Sequence, residues 1–97
     1  MIVIGRYPIY LDVARGLGAR AFNIPESTWD SMTADQQWRS NADFLDEAMA
    51  AGEEIILATP PEKIPPDCTL EKELNYLASR GFLPKLVKGR WEVVKVR

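Results

Sequence analysis

The sequence contains no histidine. That absence excludes Ser-His and Cys-His nucleophile pairs, the commonest general base and ordinary zinc sites. Catalysis by this chain must draw on carboxylate, Lys, Arg, Tyr or backbone groups. Cys68 is the single cysteine, so no disulfide can form within the chain. No stretch reaches the roughly 18 apolar residues that a membrane span needs. No charged segment followed by an apolar run opens the chain, so an export signal of its own is not expected. There is no internal repeat, low-complexity tract, P-loop, CxxC or G-x-S-x-G. No metal-ligand set or cofactor motif stands out, so neither a metal nor a cofactor is expected.

Two partial motifs fail on context. Gly16-Leu17-Gly18-Ala19-Arg20-Ala21 spells GxGxxA, but at the end of a helical pattern and before a strand. The dinucleotide fingerprint needs the reverse order. Glu92-Val93-Val94-Lys95 hints at the carboxylate–lysine pair of metal-dependent nucleases, but the spacing is loose and no partner aspartate is identifiable.

What is present describes one domain over residues 1–97. That length buries a core with little stability to spare. Apolar residues make up 46% and charged residues 27%, which fits a globular chain and not a disordered one. The net charge of −2 is unevenly spread. Residues 1–25 carry three arginines against one aspartate (+2), residues 26–73 twelve acids against three bases (−9), and residues 74–97 six bases against one acid (+5). A basic tail on an acidic body suits an anionic ligand, or is a chance clustering of solvated faces.

Strand and helix patterns alternate. Ile2-Val3-Ile4 is a continuous β-branched run of the kind that forms a buried parallel strand. Gly5-Arg6-Tyr7-Pro8 is a loop. Ile9, Val13 and Leu17 then lie at helical spacing, with Gly16 and Gly18 weakening and ending that helix. Ala21 to Ile24 reads as a second strand stopped by Pro25, and Ser27 to Met32 as one helical turn. Thr33 and Gln36 form a capping-box pattern before a long helix whose apolar face carries Trp38, Ala42, Leu45 and Met49. Glu54 to Ala58 is a third strand, followed by a proline-rich loop to Pro66. Thr69 can cap the last helix, which presents Leu70, Leu74 and Leu77. Leu86-Val87, a turn at Lys88-Gly89 and Trp91 to Val96 read as a hairpin.

This alternation predicts an α/β fold: a small three-layer Rossmann-like domain with a parallel core sheet in the order 2-1-3 and a C-terminal β-hairpin. Ligands of open α/β sheets bind beyond the carboxyl ends of the strands, where the winding direction reverses. That point would gather Gly5-Arg6-Tyr7, Thr59 and the start of the last helix. Arg6 there could pair a phosphate and Tyr7 could stack or hydrogen-bond, or the loop is a plain turn with a surface arginine. Glu73, at about 100° per residue, falls at the flank of its helix's apolar stripe, between Tyr76 and Leu77. A half-buried carboxylate in such a place is a candidate nucleophile or base; the plainer alternative is helix-dipole stabilisation. Asn41 could cap, bond a neighbouring loop or bind ligand. Trp38 reads as core, and Trp91 as packing with base stacking as the alternative.

The ordered set has a resemblance. It runs through Val3-Ile4-Gly5, Leu17-Gly18-Ala19-Arg20-Ala21-Phe22-Asn23-Ile24-Pro25, Trp29, Trp38-Arg39-Ser40-Asn41, Phe44-Leu45-Asp46, Gly52, Glu54 to Thr59, Glu73-Leu74-Asn75-Tyr76-Leu77 and Gly81-Phe82. It resembles the C-terminal toxin domains of bacterial polymorphic toxins, of the contact-dependent inhibition and rearrangement-hotspot repeat types. The resemblance spans the chain to Phe82. It implies delivery, as part of a larger secreted protein, into the cytoplasm of a target bacterium, and a cognate immunity protein as partner. Many such toxins are nucleases, yet this chain is mildly acidic and lacks histidine. A second, weaker similarity is to the nucleoside deoxyribosyltransferase-like fold. There a glutamate attacks, or stabilises charge at, the anomeric carbon of ribose. Glu73 is the matching position, Asp46 a weak match for the sugar-orienting aspartate, and the same chemistry suits an enzyme cleaving NAD or nucleotides.

The leading expectation is an effector acting on a nucleotide or nucleic acid, with Glu73 catalytic and Gly5, Arg6, Tyr7, Asn41 and Thr59 binding substrate. The alternatives are a non-enzymatic interaction domain, and a nuclease using the basic hairpin together with Arg6.

Overall fold

A computed structural model describes residues 1–96. Ile2–Ile4 form β1, buried along its whole length. Two parallel neighbours flank it: β2 (Arg20–Ala21), in register Ile2 to Arg20, and β3 (Ile55–Leu57), in register Ile2 to Ile55. The antiparallel hairpin β4 (Phe82–Val87) and β5 (Arg90–Lys95) joins β3 through β5. The sheet order is therefore β2-β1-β3-β5-β4, with the parallel 2-1-3 core and the C-terminal hairpin expected from the sequence.

Helices cover both faces, because side chains alternate across a strand. Ile2, Ile4, Ile55, Leu57 and Val93 point to the face covered by α3 (Ala34–Ala50) and α4 (Thr69–Ser79), where Leu45, Ala48, Leu70 and Leu77 meet them. Val3 and Ile56 point the other way, against Ala14 of α1 (Ile9–Leu17). The short α2 (Glu26–Asp30) connects β2 to α3.

The helix ends follow local chemistry. Gly18 closes α1 at φ 64°, a left-handed conformation that glycine adopts without steric cost. At the start of α3, the Gln36 N–H donates to Thr33 Oγ1 and the Thr33 N–H donates to Gln36 Oε1, completing the capping box. In the hairpin turn, Lys88 and Gly89 both take positive φ (51° and 78°), as a two-residue primed turn requires.

Four local expectations need correction. The second strand ends at Ala21, not Ile24. The Phe22 carbonyl accepts the Tyr10 hydroxyl at 2.6 Å instead of a ladder bond, and the Phe22 ring packs against Phe44 and Trp29. The cap of α4 is Cys68, whose Sγ accepts the Glu71 N–H at 3.5 Å; Thr69 is the first helical residue. The proline-rich loop contains one 3-10 turn at Pro61–Lys63. Trp38 is only partly buried, set edge-on to Tyr76 with the Lys72 ammonium 4.4 Å from its ring centroid.

Gly5 ends β1 where the loop passes closest to β3. A Cβ there would lie 2.9 Å from the Ala58 Cβ and 3.1 Å from the Tyr10 Cβ. Neither neighbour is the end of a flexible chain, so the backbone would have to give. Gly5→Ala is expected to lower unfolding stability by about 1–3 kcal/mol, the usual cost of overpacking. Urea denaturation checks this, and an unchanged midpoint would contradict the close approach.

Candidate functional site

Beyond the carboxyl end of β1 the chain opens into a cleft of about 620 Å³. One wall is the loop Gly5-Arg6-Tyr7, with Tyr10 of α1 behind it. A second is the segment Phe22 to Glu26, with Trp29 and Asp30 of α2. Asn41 of α3 and the first turns of α4, from Cys68 to Glu73, complete it. The early end of β2 makes this opening, because Phe22 to Ile24 leave the sheet and line the cleft instead of continuing it.

Five of the six anticipated site residues line this one space: Gly5, Arg6, Tyr7, Asn41 and Glu73. Thr59 does not. It is buried on the β3 side of the Gly5 loop, and its Oγ1 accepts the Arg6 N–H at 3.2 Å. Its contact is with the loop backbone, and it holds Arg6 in place from behind. The winding direction reverses between β1 and β3, and the space there is filled by Gly5, Ala58 and Thr59. The cleft therefore lies toward β2. Asp46 is also absent from the cleft lining; its Oδ1 accepts the Tyr76 hydroxyl at 2.7 Å.

Glu73 is 7% exposed, although it belongs to the most acidic stretch of the chain. Its place in the second turn of α4 turns it inward, beside the apolar stripe of Leu70 and Leu77. Burial raises its pKa from 4.5 to about 7, and the Asn41 side-chain amide opposes that rise by stabilising the carboxylate. At neutral pH the group is close to half ionised, the condition in which a carboxyl can both take and give a proton.

Asn41 is 3% exposed, and its Oδ1 has no hydrogen-bond partner among the described residues. A buried acceptor left unpaired costs about 1–3 kcal/mol. Asn41 lines the cleft, although this oxygen itself is closed off from solvent.

The remaining walls are aromatic. Tyr10 and Tyr7 have ring centroids 6.3 Å apart, and Phe22 meets Trp29 edge-on at 6.0 Å. The Tyr10 hydroxyl has its pKa raised by burial first, then by the Glu73 charge and Tyr7. Tyr10, Phe22 and Trp29 were not identifiable as site residues from the sequence. Tyr10 fits the helical apolar spacing of α1, and Phe22 reads as a strand position. The opening is uneven in charge: among the described residues Arg6 is the one basic residue in its lining, against Glu26, Asp30 and Glu73.

Comparison with protein-family models, with curated proteins and with solved structures finds no match. The reading of the cleft therefore stands on its geometry.

Glu73 links this site to stability. Its carboxyl holds its proton more tightly in the folded chain than in the unfolded one. Between pH 4.5 and about 7 the unfolded chain has released that proton and the folded chain has not. The native state then binds more protons, so stability falls as pH rises through this window. The full difference is about 3 kcal/mol, at about 1.4 kcal/mol per pH unit. Glu73→Gln removes this dependence. Urea denaturation at pH 5 and pH 8 is expected to show a clear loss in the wild type and a much smaller one in the variant. Equal pH dependence in both would contradict it.

Proposed function

We propose that this chain is the effector domain of a bacterial polymorphic toxin, and that it hydrolyses the N-glycosidic bond of a nucleotide in the target cell. The observation that carries the chemistry is Glu73: a buried carboxyl near half ionisation, beside an unpartnered buried amide oxygen, in an open cleft with aromatic walls. Glycosidic cleavage builds positive charge on the ribose ring at C1′. A carboxylate held beside that atom stabilises the charge and takes a proton from the attacking water. Histidine is not needed for this. Tyr7, Tyr10, Phe22 and Trp29 offer surfaces for a planar base. Arg6, on the exposed loop at the mouth, offers a guanidinium to phosphate. Thr59 and Gly5 fix the loop that carries it.

The toxin setting, with delivery from a larger protein and a cognate immunity protein, rests on the resemblance of the ordered sequence set. The nuclease alternative needs the basic hairpin and Arg6 on one surface. Instead β4 forms the sheet edge opposite β2, with two strands between it and β1, and Arg90 is engaged by Glu54 and Glu92. A polyanion would also meet Glu26 and Asp30 at the cleft. One observation favours partner binding as a second reading: Leu83 and Leu86 of β4 are exposed, at 45% and 55%.

Expression in the bacterial cytoplasm tests the proposal. Wild-type protein is expected to arrest growth while a nucleotide pool falls, and Glu73→Gln to relieve both. Rates on purified substrate should rise with pH to a plateau, with a midpoint near 7 set by ionisation of Glu73. Undiminished toxicity in the soluble variant would remove Glu73 from the mechanism.

A further inference from the structure

Resting on the glycosidic reading above, we propose that the cleft takes a nucleotide whose base is an N1-ribosylated pyridinium cation of the oxidised nicotinamide type. Two features of the lining separate this class from ordinary purine and pyrimidine nucleotides.

The first is the number of proton-transfer groups. A purine or pyrimidine leaves ribose easily only when it gains a proton, so its hydrolysis needs an acid for the base and a second group for the water. Among the described residues, Glu73 is the one buried carboxyl in the lining; Glu26 and Asp30 are exposed at its rim. The Tyr10 hydroxyl already donates to the Phe22 carbonyl, and the Cys68 sulfur is occupied as the α4 cap. One buried group cannot deliver a proton to the base and remove one from water in the same step. A pyridinium base needs no acid. The C1′–N1 bond breaks, its electron pair moves onto the ring nitrogen and cancels the positive charge, and the base departs neutral. Water oxygen bonds to C1′, and its proton passes to Glu73 and then to solvent. The products are a neutral pyridine, the ribosyl phosphate portion and one proton, which balances the cationic ring consumed.

The second feature is complementarity. The cleft holds one guanidinium, on Arg6, and three carboxyl groups, on Glu26, Asp30 and Glu73. A ligand with an anionic phosphate and a cationic ring matches both signs. Asn41 lines the same cleft, and its side-chain amide is of the kind that pairs with a ring carboxamide. A bound cation also favours the ionised form of Glu73, which is the form that accepts the proton.

The test uses the purified full chain, wild type and Glu73→Gln, with five probes: oxidised and reduced nicotinamide adenine dinucleotide, nicotinamide mononucleotide, adenosine monophosphate and uridine monophosphate. Chromatography reads the released base. Nicotinamide is expected from the oxidised dinucleotide and the mononucleotide. The reduced dinucleotide, whose ring is neutral, should react at least 100-fold more slowly, and Glu73→Gln should cut the rate at least 100-fold. Glu26→Gln with Asp30→Asn should raise KM for the oxidised dinucleotide several-fold at low salt. Adenine or uracil released at a comparable or greater rate, and lost in Glu73→Gln, would overturn the pyridinium assignment while keeping glycosidic hydrolysis. No base released from any probe by the folded wild type would overturn both.

Discussion

Everything in this fold hangs on three residues, Ile2, Val3 and Ile4: all three pair with β3, the first two also with β2, and their side chains are buried on both faces. A strand so placed must be continuously apolar, because no position along it meets water. It must also end cleanly, since neither parallel neighbour is longer than it is. Gly5 supplies that end. Its lack of a side chain lets the loop lie against Ala58 and Thr59 and then turn outward with Arg6 and Tyr7. Because β2 stops after two residues, the space past β1 is left open on one side and filled on the other. The position of the cleft is thus a consequence of strand length.

The site works against stability. A domain of this size has only a small margin between burial and chain entropy. Within that margin it keeps a carboxyl largely out of water and an amide oxygen without a partner. Both residues line the same cleft, and the positive charge a ligand would bring stabilises Glu73. Neither feature helps the sheet or the helices. Apolar residues of similar size would pack these positions with less cost, and that is the reason to read them together as a binding site.

Much of the architecture was legible in the sequence, since the continuous apolar runs of β1 and β3 and the 3.6-residue spacing of the helices mark the core elements. The β-branched run at Ile2, the capping box at Thr33 and the Lys88-Gly89 turn each report a local constraint that the fold keeps. The inward bias of Glu73 was readable from its angle on the helix. What could not be read depended on side chains meeting across the chain. Phe22 has strand character, yet the Tyr10 hydroxyl takes its carbonyl and Phe44 and Trp29 take its ring. Thr59 sits beyond a strand end, as a ligand residue would, but its hydroxyl is spent on the Arg6 backbone. Asn41 lies on the apolar face of α3, and only the packed structure shows which of its atoms lacks a partner.

The central claim is that Glu73 is a buried carboxyl poised near neutrality by its surroundings. Selective ¹³C labelling of glutamate, with the Glu73 side-chain carboxyl resonance assigned by comparison with Glu73→Gln, allows its titration to be followed by NMR from pH 4 to pH 9. The account predicts a midpoint near 7. A midpoint near the ordinary glutamate value of about 4.3 would show a solvated group, and would contradict both the burial and the chemistry built on it.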